Sequence, residues 1–274
     1  MKKLLILIMV LSALLLTPMP APAVTCTTTV PTGGDIQAAI DAADLGHVIC
    51  LAAPGTYSPT ATIVVDESIT LTTADPYATT KPVVDGGGSL GEIIKIAADD
   101  VTIDGLEVAN GTGDLIRQSG SYSGTTIRNC VVHDSSGDEG IQLKSCTDCL
   151  VECNLVYDVA QDGISIAEGA HNSIIRNNEI HHVGSENGAI YIYESSDMTV
   201  ECNYIHDTEA SDGIKFYNNY AGDFAVVNNR IVHNVWQKKK RATDGNAIHI
   251  YKGRAGTYTV VHNKIGRASC RERV

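Results

Sequence analysis

Ile127–Asp134 reads IRNCVVHD, Val151–Asp158 reads VECNLVYD and Ile175–His182 reads IRNNEIHH, and the three align without a gap at a spacing of 24 residues. The frame extends back to IDGLEVAN at Ile103 and forward to VECNYIHD at Val200, VNNRIVHN at Val227 and VHNKI at Val261, with later spacings of 25, 27 and 34. Between these segments lie GIQLK at Gly140, GISIA at Gly163, AIYIY at Ala189, GIKFY at Gly213 and AIHIY at Ala247. Each follows a turn rich in Asp, Asn and Gly. A fixed period of this length marks a repeat architecture. Apolar residues alternate with period two, which predicts three short strands per repeat rather than helices. Stacked at about 4.8 Å, such repeats build three parallel sheets around a narrow core. The predicted fold is all-β, a right-handed parallel β-helix.

Two columns test that register. With a one-residue corner at Asn178, the second-position residues Asp104, Arg128, Glu152, Arg176 and Glu201 face outward and alternate in sign, which favours in-register pairing of neighbouring strands. The third-position residues Gly105, Asn129, Cys153, Asn177, Cys202, Asn229 and Asn263 are predicted to face inward, their amides bonding from coil to coil. Cys153 and Cys202 then lie two strand spacings apart, about 9.6 Å, beyond disulfide reach. Cys26 and Cys50 are expected to form a disulfide in an exported N-terminal cap. Cys146-x-x-Cys149 has no second pair or adjacent histidine to complete a metal site.

The ends of the chain follow other rules. Met1–Ala23 combines Lys2 and Lys3, an apolar run from Leu4 to Leu16 and the small-x-small site Ala21-Pro22-Ala23, the pattern of a secretory signal peptide. No later stretch is apolar enough to span a bilayer. The mature chain is expected to be secreted or periplasmic, and monomeric. Ile265–Val274, IGRASCRERV, abandons the repeat and matches a translated sequencing adapter, so it is expected to be an assembly artefact that cuts the solenoid short after Lys264. The whole chain of 274 residues carries a formal charge of −12. Without the two end segments, 15 basic and 31 acidic residues remain. That balance excludes a nucleic-acid binder, which needs basic surface. Asp35–Ala43, DIQAAIDAA, places Ile36, Ala39, Ile40 and Ala43 on one face and is predicted to be a short helix capping the open end of the sheets.

IQAAIDAA followed by VICLAAPGTY at Val48, together with the repeats, resembles the pectin-lyase-like right-handed β-helix superfamily from Asp35 to Ile265. The resemblance implies the fold. It leaves the activity open, since this architecture hosts lyases, hydrolases, epimerases, adhesins and copper-maturation proteins. Polysaccharide-active members bind sugar along the outer face of one sheet. Here the strands behind the Asp-Gly turns are the candidates, with one outward column of Gln142, Ser165, Tyr191, Lys215 and His249 and a second of Lys144, Ala167, Tyr193, Tyr217 and Tyr251.

Tyr193, Tyr217 and Tyr251 offer flat faces with polar tips for stacking on sugars. Lyase chemistry on a uronate needs a base for the C5 proton and a cation for the carboxylate, which singles out Lys215, His249 and Tyr191. The turn carboxylates Asp138, Glu139, Asp162, Glu186, Asp212 and Asp244 form a predicted row whose oxygens suit Ca²⁺, with Glu139, Asp162 and Asp212 as ligands. EGIQLKS, Glu139 to Ser145, resembles the coil that carries the lysine base in the chondroitinase B and alginate lyase family. That resemblance makes Lys144 a base and Glu139 a calcium ligand, although Ala167 stands where the family has an arginine. Trp236 and the basic run from Lys238 to Arg241 are placed in the insertion behind the longest spacing, as a clamp on an acidic glycan. On another sheet Ala109, His133, Tyr157, His181, His206 and His233 form an outward column whose imidazoles suit a transition metal. The expectation is an exported β-helix that binds or cleaves an acidic polysaccharide, lyase-like if catalytic; the alternative is a non-catalytic scaffold or metal-handling protein.

Overall fold

A computed structural model of the chain describes residues 24–75, 80–184, 187–208, 212–217, 229–232, 235–238, 246–251, 258–261 and 263–266. The expected signal peptide, His233, Glu186, Asp244, the run from Lys239 to Arg241 and residues 267–274 lie outside them. The chain winds as a right-handed parallel solenoid. Among the described residues sheet A has ten strands, sheet B nine and sheet C eight, and every neighbouring pair is parallel. One coil passes through Thr126–Arg128 in sheet A, Val131–Ser135 in sheet B and Ile141–Lys144 in sheet C. Inward positions are almost all Ile, Val and Leu: Ile127, Val151, Ile175 and Val200 stack in sheet A, and Ile141, Ile164, Ile190 and Ile214 in sheet C, all buried. Among the described residues no helix is long and apolar enough to cross a membrane.

The corner between sheets A and B corrects one expectation. Gly105, Asn129, Cys153, Asn177 and Cys202 all have positive φ, between 54° and 73°. They are themselves the turn, so their side chains leave the core, and Cys153 and Cys202 are exposed. The next residue swings back inside. The buried amide ladder is therefore Asn154, Asn178 and Asn203. Asn178 Nδ2 donates to Val151 O and Asn203 Oδ1, both at 3.0 Å, while its own Oδ1 accepts from the Asn154 amide nitrogens. The charged column stands as expected: Arg128 Nε meets Asp104 Oδ2 at 2.9 Å and Arg176 Nε meets Glu152 Oε2 at 2.7 Å.

At the N-terminal end the helix α1 spans Ile36–Asp41, shorter than the expected 35–43 because Asp35 is its N-cap, accepting from Ala38 N at 3.1 Å. Ile36 and Ile40 cover the core. Gln37 Oε1 accepts from Val64 N at 2.7 Å and its Nε2 donates to Val64 O at 3.1 Å, so one side chain pairs the open edge of sheet C. Cys26 and Cys50 form the expected disulfide across 24 residues. Cys146 and Cys149 are buried in the core.

The later coils correct the repeat alignment. Ile231, not Val227, pairs with Val200, and Trp236 pairs with Ile205 in sheet B. A slip of four residues keeps the inward–outward alternation, so periodicity alone does not distinguish the two registers. Trp236 thus belongs to the strand Val235–Lys238 in sheet B, away from sheet C and outside any insertion loop.

Candidate active site on the outer face of sheet C

Register aligns Lys95, Arg117, Gln142, Ser165, Tyr191, Lys215 and His249 on successive strands, confirming the first outward column and extending it upstream. Two positions before the first inward isoleucine of each strand runs Glu92, Asp114, Glu139, Asp162, Gly188, Asp212 and Asn246. This is the true polar row. Asp138 stands outside it, bonded by Gln161 Nε2 at 2.8 Å. Glu92, Asp114 and Arg117 were not legible as site residues, because Glu92 and Asp114 are followed by Ile93 and Leu115, where Gly140, Gly163 and Gly213 follow Glu139, Asp162 and Asp212.

At the upstream end Arg117 Nη1 contacts Glu92 Oε1 at 2.9 Å and Asp114 Oδ2 at 3.3 Å. The Glu139 amide donates to Asp114 Oδ1 at 3.2 Å. Burial, then the hydrogen bond and charge of Asp114 and the charge of Asp162, push the Glu139 carboxyl up to about 8, against the opposing bond from Gln142. Glu139 therefore carries a proton at neutral pH.

At the downstream end Asp212, which is buried, bonds His249 Nδ1 through Oδ2 at 2.7 Å. Its Oδ1 accepts from the Asn246 amide at 2.7 Å. With Nδ1 engaged, Nε2 of His249 is the nitrogen left for chemistry. Lys215 is in register with His249 on one side and Tyr191 on the other. Its Nζ reaches Asn187 Oδ1 at 3.4 Å and lies 5.6 Å and 5.8 Å from the ring centres of Tyr191 and Tyr217. Tyr191, Tyr193, Tyr217 and Tyr251 follow one another at centroid distances of 6.0, 5.7 and 5.1 Å, a continuous aromatic strip beside the pair. Burial and the charge of Asp162 push the Tyr191 phenol well above its usual range, so Tyr191 holds its proton and is no base.

Two expectations change. Lys144 Nζ is paired with Glu168 Oε1 at 2.7 Å, which engages the ammonium that a base would have to present neutral. Glu139, Asp162 and Asp212 do not converge on a common point: a coil intervenes between Asp162 and Asp212, and Asp162 Oδ1 accepts from Gly188 N at 3.1 Å. Among the described residues the one trio whose metal-ligating atoms approach within 4.8 Å of one another is Glu179, His181 and His206 in sheet B. There the predicted ring column is present as far as His206, with His133, Tyr157, His181 and His206 stacked at 4.7, 5.0 and 4.9 Å, and the next position in register is Gln237 rather than the expected His233.

A family model described as "Right handed beta helix region" matches residues 92–270. No curated protein matches the sequence. Among solved structures, an alginate lyase from Paenibacillus sp. str. FPU-7 superposes with a TM-score of 0.62 at 16% identity, covering 87% of this chain and all of that one. The catalytic unit of a GH87 α-1,3-glucanase from Streptomyces thermodiastaticus gives 0.66 at 21% identity over 89% of this chain and 48% of that one. Pectate lyase Pel9A gives 0.54 at 14% identity over 88% and 79%. These likenesses establish the fold.

Proposed function

The chain belongs to the right-handed β-helix region family, and on that premise we propose that it is an exported, polysaccharide-active protein that cleaves an acidic glycan by β-elimination on the face of sheet C. The observation that carries the reading is the Asp212–His249 bond at 2.7 Å with Lys215 in register beside it. The buried Asp212 side chain on Nδ1 fixes the tautomer and presents Nε2 as the accepting nitrogen, which is what a general base requires. His249 Nε2 takes the C5 proton of a uronate. The electron pair of that C–H bond forms the C4–C5 double bond, the C4–O bond breaks, and the glycosidic oxygen leaves with a proton that Tyr191, still protonated, can offer. Lys215 faces the sugar carboxylate, whose charge grows as C5 is deprotonated. The tyrosine strip supplies stacking surface for neighbouring sugars. The two polysaccharide lyases among the superposable structures support the reading, and the Cys26–Cys50 disulfide supports export. Ca²⁺, if bound, would be held by single members of the acidic row such as Asp162 or Asp212, which lie on separate coils, and would supply positive charge beside the glycan carboxylates.

Incubation with alginate, pectate and chondroitin, with and without Ca²⁺, tests it by ultraviolet absorbance of unsaturated products. Absence of both product and binding across the panel would remove the proposal.

A second reading rests on Glu139. A carboxyl that stays protonated to about pH 8 beside a second carboxyl group, Asp114, has the character of a general acid for glycoside hydrolysis. New reducing ends without absorbance would select it over elimination.

A further inference from the structure

We propose that sheet B carries a second, independent site, a divalent transition-metal centre formed by Glu179, His181 and His206, the cation being of the Zn²⁺ class. Nothing in it depends on the glycan chemistry of sheet C.

The fold assembles the trio from two adjacent strands. Glu179 and His181 are two residues apart on Glu179–Val183, so they share the outward face, and His206 lies directly opposite His181 on Tyr204–Thr208. His206 Nε2 is 3.0 Å from Glu179 Oε1, and the two imidazoles stack at 4.9 Å. Metal bonds of about 2.0–2.1 Å hold tetrahedral ligand atoms about 3.3 Å apart. From separations within 4.8 Å the side chains need close by only about 1.5 Å. The backbone need not move.

The outer bonds of both histidines already have the form a metal site needs. His206 Nδ1 bonds Asp207 Oδ2 at 2.9 Å, and His181 Nδ1 bonds His182 Nδ1 at 2.7 Å. In each case the partner is the following corner residue, held at positive φ. Both rings are therefore oriented through Nδ1, and Nε2 is left to ligate, as when a metal-bound histidine is fixed by an outer partner. Two imidazole nitrogens and one carboxylate leave a fourth position open, the ligand set of a Zn²⁺ site that keeps a water.

The same column supplies an internal comparison. His133 has the same partners, Asp134 on Nδ1 at 2.8 Å and Glu107 on Nε2 at 3.2 Å. The residue opposite it on the Glu107 strand is Ala109, where the other site has His181. Among the described residues the motif thus occurs twice, and the second copy has the further imidazole.

The full chain, stripped with a chelator and titrated with Zn²⁺ by calorimetry, tests this. One ion per chain is expected, with affinity lowered at least about tenfold by His181→Asn, by His206→Asn and by Glu179→Gln, and unchanged by His133→Asn. Co²⁺ in place of Zn²⁺ should give visible absorption bands of a four-coordinate site that vanish in the same three variants. If a histidine variant does not fold, Glu179→Gln decides, since that side chain is half exposed. No stoichiometric binding, equal affinity in all variants, or an equal loss in His133→Asn overturns the proposal.

Discussion

Asp212 Oδ2 lies 2.7 Å from His249 Nδ1, joining two residues 37 positions apart that occupy neighbouring coils of sheet C. The contact spans the inter-coil direction, so it exists only in the wound structure. It fixes the ring orientation of the histidine proposed as the base.

If His249 is that base, His249→Gln should lower the rate of unsaturated-product formation by about 10²–10⁴-fold. Asp212→Asn should cost less, since the imidazole remains but its tautomer is no longer enforced. Initial rates at saturating substrate, with binding measured separately, check both. A His249→Gln variant of undiminished rate would move the chemistry elsewhere on the sheet.

Lys215→Ala should raise KM for an acidic glycan and lower kcat, with binding of a neutral glucan unchanged. Charge neutralisation is needed only where the substrate bears a carboxylate. Turnover on the acidic glycan measured beside binding of the neutral one separates this effect from a general disturbance of the face.

Stability should depend on pH through Glu139. Its folded carboxyl titrates at about 8, above the ordinary value, so the folded state holds a proton that the unfolded chain has lost. The stabilisation is complete below the unfolded pKa and disappears as pH rises through about 8. Melting temperature should fall across that window in the wild type. Glu139→Gln, which cannot ionise, should flatten the decline.

The amide ladder should be costly to break. Asn178→Ala strands Val151 O and the Asn154 amide in the core, and a loss of about 2–4 kcal/mol in urea unfolding is expected. Cys153→Ala, at the exposed corner of the preceding coil, should cost far less.

Reduction of Cys26–Cys50 should lower stability by about 2–4 kcal/mol, since the bridge closes a loop of 24 residues in the unfolded chain. Melting with and without reductant, against a Cys26→Ser/Cys50→Ser variant, measures it.

Much of this was legible in the chain itself. Period-two alternation repeated every 24 or 25 residues leaves the solenoid as the consistent packing, because each coil must bury its Ile and Val positions against the next. The sheet C columns through Tyr191, Lys215 and His249 followed from the same count, and so did the charged column of Asp104, Arg128, Glu152 and Arg176. Three things were not legible. The corner fell one residue earlier than expected, because a left-handed backbone angle at Asn177 or Cys153 turns that residue outward, and sequence alternation does not report φ. The last coils slipped by four residues, an even number that alternation cannot detect, and this carried Trp236 to sheet B. Asp114, and with it its partner Arg117, was hidden because Leu115 rather than a glycine follows it.

Period and parity along the chain fix the architecture, the three sheets and, through the coils of constant spacing, which strand residues stand in line on each outer face. Winding into coils settles which of those side chains meet. Asp212 with His249, Asp114 with Glu139, and Glu179 with His181 and His206 are joined across coils by distances of a few ångströms. Such distances depend on rotamers, corner angles and the stagger between strands, which one-dimensional spacing does not encode.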